Sequence, residues 1–151
     1  MIEEGRTLFA YSNRIVVKIP VNQDGLIAIR KLSSENIPIL GTAVFHPLQA
    51  LLAANNGAAY IAPYFSHIGE NAYETLKTMH EILETTSTQI LAASIKHLDT
   101  LVDCARLGID SVTIKEDLYY QLIAQHPLTE KFTRKFHAEW SEAHGELFQW
   151  V

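Results

Sequence analysis

The sequence predicts an α/β fold in which about five short strands alternate with helices. Strand-like and helix-like runs follow one another with a repeat of about 20–30 residues, the length of a βα unit. The strand-like runs are apolar on both faces, which is typical of parallel strands that are covered on both sides. Because no proline-rich, glycine-rich or low-complexity linker interrupts the pattern, residues 1–151 are expected to form one domain.

Five strand-like runs can be placed along the chain, at residues 15–20, 37–45, 60–64, 89–95 and 111–115. A helical pattern precedes the first run, at residues 3–12, and others follow each strand. The stretches 21–25 and 66–71 are expected to be loops. A final helix is predicted from about residue 128 to residue 144, with Phe132, Phe136 and Trp140 spaced four apart.

The segment after the first strand decides between two kinds of parallel sheet. A doubly wound sheet favours a glycine-rich phosphate loop at this position. The sequence here is VNQDG, which is not such a loop. A barrel arrangement is therefore favoured, but five strands cannot close a barrel that requires eight. The predicted fold is a partial (β/α)8 barrel of about five βα units plus C-terminal helices.

Composition restricts the classes of function. The 151 residues are 48% hydrophobic and carry a formal net charge of −5, which argues against nucleic-acid or acidic-membrane partners. No apolar run reaches the roughly 18 residues of a membrane span, and the first residues, MIEEG, lack the basic start of a secretory signal.

The single cysteine and the scattered histidines point to neither a disulfide nor a metal. Cys104 cannot form an internal disulfide, so a reduced, cytoplasmic setting is expected. It lies in a helical run, where a small buried residue is favoured over a reactive thiol. The seven histidines lack metal-ligand spacing, and no metal or cofactor is expected.

Four polar side chains are expected near the carboxyl ends of neighbouring strands. They are Lys18, Thr42, Tyr64 and Ser94. Side chains alternate between the two faces of a strand, so Thr42 is expected to share a face with Val44. By the same reasoning Ser94 is expected to share a face with Ala92. Polar groups that converge at this edge of an α/β sheet are typical of an active site.

These residue types suit carbonyl chemistry. Among apolar neighbours the ammonium form of Lys18 would lose solvation, and the free amine could add to a ketone or aldehyde and form a Schiff base. A phenol and a hydroxyl could hold the water that moves the protons. The alternative is a lysine that extends from the strand to solvent. Ser94 and Lys96 could likewise bind a phosphate or form an ordinary strand-to-helix turn.

Four segments together resemble one enzyme family. They are IVVKIPV at residues 15–21 with DGL at residues 24–26, LGTAVF at residues 40–45, YIAPY at residues 60–64 and LAASIK at residues 91–96. This set, in this order and spacing, is similar to the short transaldolase family, which includes the fructose-6-phosphate aldolases. The resemblance covers essentially the whole chain.

The resemblance implies a role for each of the matched residues. Lys18 matches the lysine that forms the Schiff base, and Thr42 and Tyr64 match residues that hold the catalytic water in the aldolase branch. Ser94 matches a serine that contacts the substrate phosphate, with Lys96 near it. His67 stands where the family has a phosphate-binding arginine. Since a histidine does not reproduce a bidentate guanidinium, phosphate affinity is expected to be weaker or pH-dependent.

The resemblance also implies missing parts. The family's barrel has eight βα units with the lysine on the fourth strand, and this sequence matches from the helix before that strand. The first three strands, which supply an aspartate, a substrate-contacting loop and a polar side chain, have no counterpart here. The expected function is a Schiff-base aldolase or transaldolase that acts on sugar phosphates or dihydroxyacetone-type ketones through Lys18. The alternative is a catalytically impaired protein with a structural or self-association role.

A homo-oligomer is expected on two grounds. The open edges of a five-stranded remnant favour association with another copy, unless an upstream portion covers them. The apolar tail at residues 147–151 (LFQWV) is of a kind that packs on another surface.

Overall fold

The computed structural model describes residues 1–124 and 126–144, which form a parallel five-stranded sheet with helices between the strands. The spatial order of the strands is the chain order, β1-β2-β3-β4-β5. Their bounds are β1 (Val17–Pro20), β2 (Ile39–Val44), β3 (Tyr60–Pro63), β4 (Gln89–Ala92) and β5 (Ser111–Val112). All four neighbouring pairs are parallel, which confirms the predicted α/β fold of five βα units.

The helices follow the predicted alternation. They are α1 (Ile2–Tyr11), α2 (Gln23–Ser33), α3 (Pro47–Asn55), α4 (Phe65–Ile68), α5 (Ala72–Leu83), α6 (Leu98–Arg106), α7 (Glu116–Ile123) and α8 (Pro127–His144). Three expectations are corrected here. The stretch 66–71, expected as a loop, begins inside the short helix α4, and the strands predicted over residues 89–95 and 111–115 end earlier, at Ala92 and Val112.

The turn between β1 and α2 is shorter than the predicted loop over residues 21–25. Asn22 caps the helix, because its side-chain oxygen accepts a hydrogen bond of 2.8 Å from the Gly25 N–H. Gly25 lies against the end of β1, where a Cβ atom would come within 1.8 Å of the Pro20 carbonyl oxygen. The absence of a side chain at Gly25 therefore lets α2 begin directly after β1.

The core lies between the sheet and the outer helices. The strand residues on this side are all fully or nearly fully buried: Val17, Ile19, Ile39, Ile61 and Ile90. They belong to one cluster with the helix residues Ile29, Leu32, Leu76 and Met79. Every second residue of β1 and of β4 thus points at the helices.

The opposite face of the sheet is open. Lys18 pairs in register with Leu40, Leu40 with Tyr60, and Tyr60 with Gln89. Lys18 and Gln89 are exposed, and Leu40 and Tyr60 are half-buried. The face that would line the interior of a closed barrel therefore has no second wall in the part of the chain that the structure describes.

A β-bulge in β2 changes which residues share a face. The register runs from Thr42 opposite Ala62 to Val44 opposite Pro63, and the extra residue, Ala43, has φ +56°. Val44 is consequently buried on the helix side, so its predicted shared face with Thr42 is wrong.

The predicted shared face of Ala92 and Ser94 is also wrong. Ala92 is fully buried on the same side as Ile90, two residues earlier in β4. Ser94, with φ +61°, lies beyond the end of β4 and is half-buried. A left-handed residue breaks the strict alternation of a strand, which is why the pattern of apolar residues did not place Ser94 correctly.

Helix α1 is held firmly against α2. Gly5 packs closely on Leu32 of α2, at a site where a Cβ atom would lie 2.7 Å from Leu32 Cδ1. Arg6 donates two hydrogen bonds to Glu35, of 2.8 and 2.6 Å, and Lys31 lies 3.1 Å from the same carboxylate. Hydrogen bonds from Arg6, and then from Lys31, lower the pKa of Glu35 to about 2.

The C-terminal helices differ in how they are covered. Leu118 of α7 is buried in the core, whereas Leu128, Phe132, Phe136 and Trp140 of α8 are all more than 40% exposed. The apolar tail at residues 147–151 lies outside the described residues. No helix among the described residues is long and apolar enough to cross a membrane.

We expect Gly25→Ala to destabilise the fold strongly, because the added methyl group would clash with the Pro20 carbonyl oxygen. The loss in free energy of unfolding should be at least about 2 kcal/mol, as for other overpacked sites. Urea denaturation measures it. Gly69→Ala is the control, since no atom lies within 4 Å of its Cβ position and only its positive φ, +86°, is penalised. Equal losses for the two variants would contradict the close-contact explanation.

Candidate active site

Lys18 is placed by the alternation of β1. Val17 and Ile19 are buried against the helices, so the intervening Lys18 points to the open face of the sheet. Lys18 sits in the second of the four positions of β1, and its long side chain carries the amine toward the carboxyl ends of the strands. Its Nζ lies 5.9 Å from the centroid of the Tyr64 ring.

Tyr64 and Thr42 form a hydrogen-bonded pair next to this amine. The Tyr64 hydroxyl and Thr42 Oγ1 are 3.1 Å apart, and either oxygen can donate. Tyr64 follows directly after β3, where its N–H donates to the Val44 carbonyl oxygen over 3.2 Å. Phe45 packs edge-on against the Tyr64 ring at 5.6 Å. The structure thus brings together Lys18, Thr42 and Tyr64, the three predicted catalytic residues.

Ser94 and His67 form a second pair beside the first. His67 Nδ1 and Ser94 Oγ are 3.0 Å apart, and the His67 ring lies 5.8 Å from the Tyr64 ring. Ser66 donates a short hydrogen bond to the Ser94 carbonyl oxygen, which ties α4 to the end of β4. Tyr64 therefore links the two pairs. Its hydroxyl forms a hydrogen bond with Thr42, and its ring contacts the ring of His67.

Lys96 is less closely tied to the site. It lies two residues beyond Ser94 with an exposed side chain. Among the described residues no hydrogen bond or ion pair joins Lys96 to Ser94 or His67.

The surroundings of Lys18 differ from the expectation. An apolar enclosure was predicted around the amine, yet the Lys18 side chain is exposed. The cause is the open face: Tyr64 lies beside the amine, but no described residue covers the amine from the side opposite the sheet. The alternative of a lysine that extends to solvent thus describes its position in the single chain.

Two residues of the site were missed by the sequence analysis. Ser66 supports the Ser94 backbone, and Phe45 supports the Tyr64 ring. Ser66 lay in a stretch expected to be a loop, and an aromatic residue after a strand carries no distinctive signal.

The other chemically capable groups lie away from the site. No group of His, Cys, Asp or Glu side chains in the described residues could hold a metal ion. Cys104 is buried in the core cluster, and this burial raises the pKa of its thiol. Its placement confirms the prediction of a small buried residue.

Comparison with known proteins identifies the family. The family model described as Transaldolase/Fructose-6-phosphate aldolase matches residues 1–150. The chain belongs to this family. The resemblance inferred from the four strand segments is confirmed.

Relatives in this family are similar over nearly the whole chain. A probable transaldolase of Nitrosopumilus maritimus is 37% identical over 152 residues, covering 97% of this chain and 68% of the relative. One from Coprothermobacter proteolyticus is 37% identical, with coverages of 98% and 70%. One from Syntrophobacter fumaroxidans is 40% identical, with coverages of 94% and 66%. This transaldolase-family chain thus spans about two thirds of the length of these relatives.

A solved mandelate oxidase structure resembles this chain more distantly. The matched region covers 59% of this chain and 28% of the mandelate oxidase chain, with a TM-score of 0.48 and 15% sequence identity. This likeness is too weak to bear on fold or function.

Proposed function

We propose that this transaldolase-family chain contains the reacting groups of a Schiff-base aldolase or transaldolase site. Lys18 is the nucleophile. The observation that supports this most is the position of the Lys18 amine beside the hydrogen-bonded Tyr64–Thr42 pair. An amine next to a phenol and a hydroxyl provides both a nucleophile and groups that can move a proton. Family membership supports the same reaction class.

The proposed reaction begins when the neutral amine of Lys18 adds to the carbonyl carbon of a ketone. The carbonyl oxygen leaves as water, and a protonated imine remains. The bond between the α and β carbons of the imine then breaks, and the β carbon carries the hydroxyl group that becomes the new carbonyl. The electron pair of this bond moves toward the imine nitrogen and forms an enamine, while the hydroxyl on the departing carbon loses its proton and becomes an aldehyde. Protonation of the enamine and hydrolysis release the second product and the free lysine.

Tyr64 and Thr42 are proposed to hold the water that carries these protons. Their hydroxyl groups lie 3.1 Å apart on the open face of the sheet. Each hydroxyl can both donate and accept a hydrogen bond, so the pair can orient one water molecule in either direction of proton transfer. Phe45 and His67 contact the Tyr64 ring and limit the positions that the hydroxyl can take.

Ser94, His67 and Lys96 are proposed to contact the far end of the substrate, a sugar phosphate or a dihydroxyacetone-type ketone. Because His67 Nδ1 is engaged with Ser94, only Nε2 is available to a ligand. A single ring nitrogen thus stands where an arginine would offer several N–H donors in one plane. Phosphate binding is therefore still expected to be weaker than with arginine, or pH-dependent.

A non-catalytic role is the second candidate. The observation in its favour is the exposure of Lys18 on the open face. The amine therefore has no apolar enclosure within the part of the chain that the structure describes. Under this alternative the chain retains the family fold and associates with itself or a partner without turnover. A cytoplasmic location also stays a prediction.

Borohydride trapping tests the role of Lys18. Incubation with dihydroxyacetone and borohydride should add one reduced ketone to the protein, and peptide mass spectrometry should place it on Lys18. Lys18→Met should abolish the adduct, while Lys77→Ala, which removes an exposed lysine on α5, should leave it unchanged. An absent wild-type adduct, or an equal adduct on Lys18→Met, would favour the non-catalytic alternative.

Tyr64→Phe should lower the turnover rate about 10²–10⁴-fold, the usual loss when a proton-transfer group is removed. KM should change much less, because the ring and its contacts are retained. Steady-state kinetics of aldol cleavage provides the measurement. Tyr60→Phe is a matched control, since Tyr60 lies on the same face at the start of β3. Similar losses in both variants would indicate a general effect of removing phenols rather than a role for Tyr64.

We also propose that the chain self-associates through α8. Leu128, Phe132 and Phe136, spaced four residues apart, are 46–61% exposed on this helix. A second copy running antiparallel presents the same row of side chains, which makes this surface self-complementary.

Light scattering after size-exclusion chromatography should show an oligomer for the wild type and a monomer for Phe136→Lys. Leu52→Lys, an exposed leucine on α3, should remain oligomeric. A monomeric wild type at tens of micromolar would contradict this proposal.

A further inference from the structure

We propose that Gln49 is a positioning residue for Tyr64 and that it acts through Phe45. Gln49 is the third residue of α3, and among the described residues its side chain bonds only to backbone groups. Tyr64 has a catalytic task only if the Schiff-base reaction takes place, so this role of Gln49 rests on the proposed function. The structural link between the two residues does not.

The side-chain amide of Gln49 makes three hydrogen bonds. Its Oε1 accepts from the N–H of Phe45 over 2.9 Å and from the N–H of His46 over 3.1 Å. Its Nε2 donates to the Val21 carbonyl oxygen over 3.2 Å. The reverse orientation would set an NH2 group against two N–H donors and an oxygen against a carbonyl, so the three partners determine which way the amide points.

The segment after β2 depends on these bonds. Phe45 and His46 lie beyond Val44, the last residue of the strand, and among the described residues no backbone carbonyl accepts from their N–H groups. Two residues before Phe45, Ala43 has φ +56°, a conformation that persists only where the surrounding structure holds it. Gln49 therefore fixes the course of the chain where it leaves the bulge.

Phe45 connects this segment to Tyr64. The two rings meet edge to face, with centroids 5.6 Å apart and an angle of 81° between their planes, an arrangement that aromatic pairs favour. The Phe45 side chain is 42% exposed, so burial in the core does not hold its ring. The position of the Phe45 backbone, which Gln49 fixes, therefore decides where the ring meets Tyr64.

The atom that this arrangement places is the Tyr64 hydroxyl oxygen. It lies at the far end of the ring, 3.1 Å from Thr42 Oγ1. Proton transfer requires heavy atoms within hydrogen-bond reach, and a misplacement of about 1 Å can lower a rate on the order of 10²-fold. Loss of the Gln49 hydrogen bonds is therefore expected to slow turnover even though the phenol itself is retained.

Gln49 also has an ordinary structural role. Its bond to the His46 N–H is part of a capping box at the start of α3. Capping alone would affect the stability of the helix and not the rate of the reaction. Asn56 offers a matched control, because its side chain donates a hydrogen bond of 2.8 Å to the Leu52 carbonyl oxygen at the other end of the same helix.

Steady-state kinetics of aldol cleavage separates the two roles. Gln49→Met removes the hydrogen bonds at similar side-chain length and should lower kcat roughly 10- to 100-fold, with KM changed less than about threefold. Gln49→Glu keeps acceptor oxygens for the Phe45 and His46 N–H groups, as a capping box allows, and should retain kcat within about threefold. Asn56→Ala should lower the melting temperature and leave kcat unchanged.

The route through Phe45 is tested by a double-mutant cycle. Phe45→Leu removes the ring contact at an exposed position, so it should fold even if Gln49→Met does not. Its loss in kcat should be similar to that of Gln49→Met, and the double variant should lose little more than either single variant, since both remove the same contact.

Nuclear magnetic resonance of protein with labelled tyrosine rings gives a readout that does not require activity. The Tyr64 ring signals are identified by their absence in Tyr64→Phe. They should shift in Gln49→Met and in Phe45→Leu, because the Phe45 ring moves or is lost. They should stay in place in Asn56→Ala, which leaves the segment after β2 unchanged.

Three outcomes would overturn the role of Gln49: an unchanged kcat in Gln49→Met, fully additive losses in the double variant, or Tyr64 ring signals that Gln49→Met does not shift. An inactive wild type in which Gln49→Met still shifts the Tyr64 signals would defeat the proposed function and leave the link between Gln49 and Tyr64 standing. An active wild type with unshifted Tyr64 signals in Gln49→Met would defeat the role of Gln49 only.

Discussion

The candidate site depends on the alternation of side chains along β1. Val17 and Ile19 are buried against the helices, and this burial forces Lys18 onto the opposite face. Each buried aliphatic side chain contributes roughly 1.5–3 kcal/mol, so a shift of one residue that buried Lys18 would be strongly unfavourable. The position of the amine is thus fixed by the packing of its neighbours rather than by contacts of its own.

The carboxyl ends of the strands are positioned by a different means. Ala43 and Ser94 both adopt positive φ values, +56° and +61°, although neither is a glycine. Such conformations cost of order 1–3 kcal/mol each and persist where the surrounding structure holds them. The bulge at Ala43 lies between Thr42 and Val44, and the turn at Ser94 brings its hydroxyl to His67. Backbone strain is therefore located beside the two side-chain pairs that define the site.

The sequence predicted the regular parts of this structure and missed the irregular ones. The strand containing Lys18 was predictable because β-branched residues flank the lysine, and the approach of Thr42 to Tyr64 follows from parallel register. The shared faces predicted for Thr42 with Val44 and for Ala92 with Ser94 are wrong, because strict alternation was assumed through the bulge and past the end of β4. The hydrogen bond from Ser66 to Ser94 joins residues 28 positions apart, and a local sequence pattern cannot predict such a contact. The exposure of Lys18 depends on what lies across the sheet, which the spacing of residues within one strand does not reveal.

The proposed role of Lys18 as a nucleophile is physically linked to the open face of the sheet. A lysine adds to a carbonyl only as the neutral amine, and an apolar enclosure favours that form because it removes water from the ammonium. In the single chain the open face leaves the Lys18 side chain in solvent, even though Tyr64 and Thr42 are already hydrogen-bonded beside it. Tyr64 and Thr42, the proposed proton-transfer groups, are therefore preorganised within the chain, while a second wall would remove water from the proposed nucleophile.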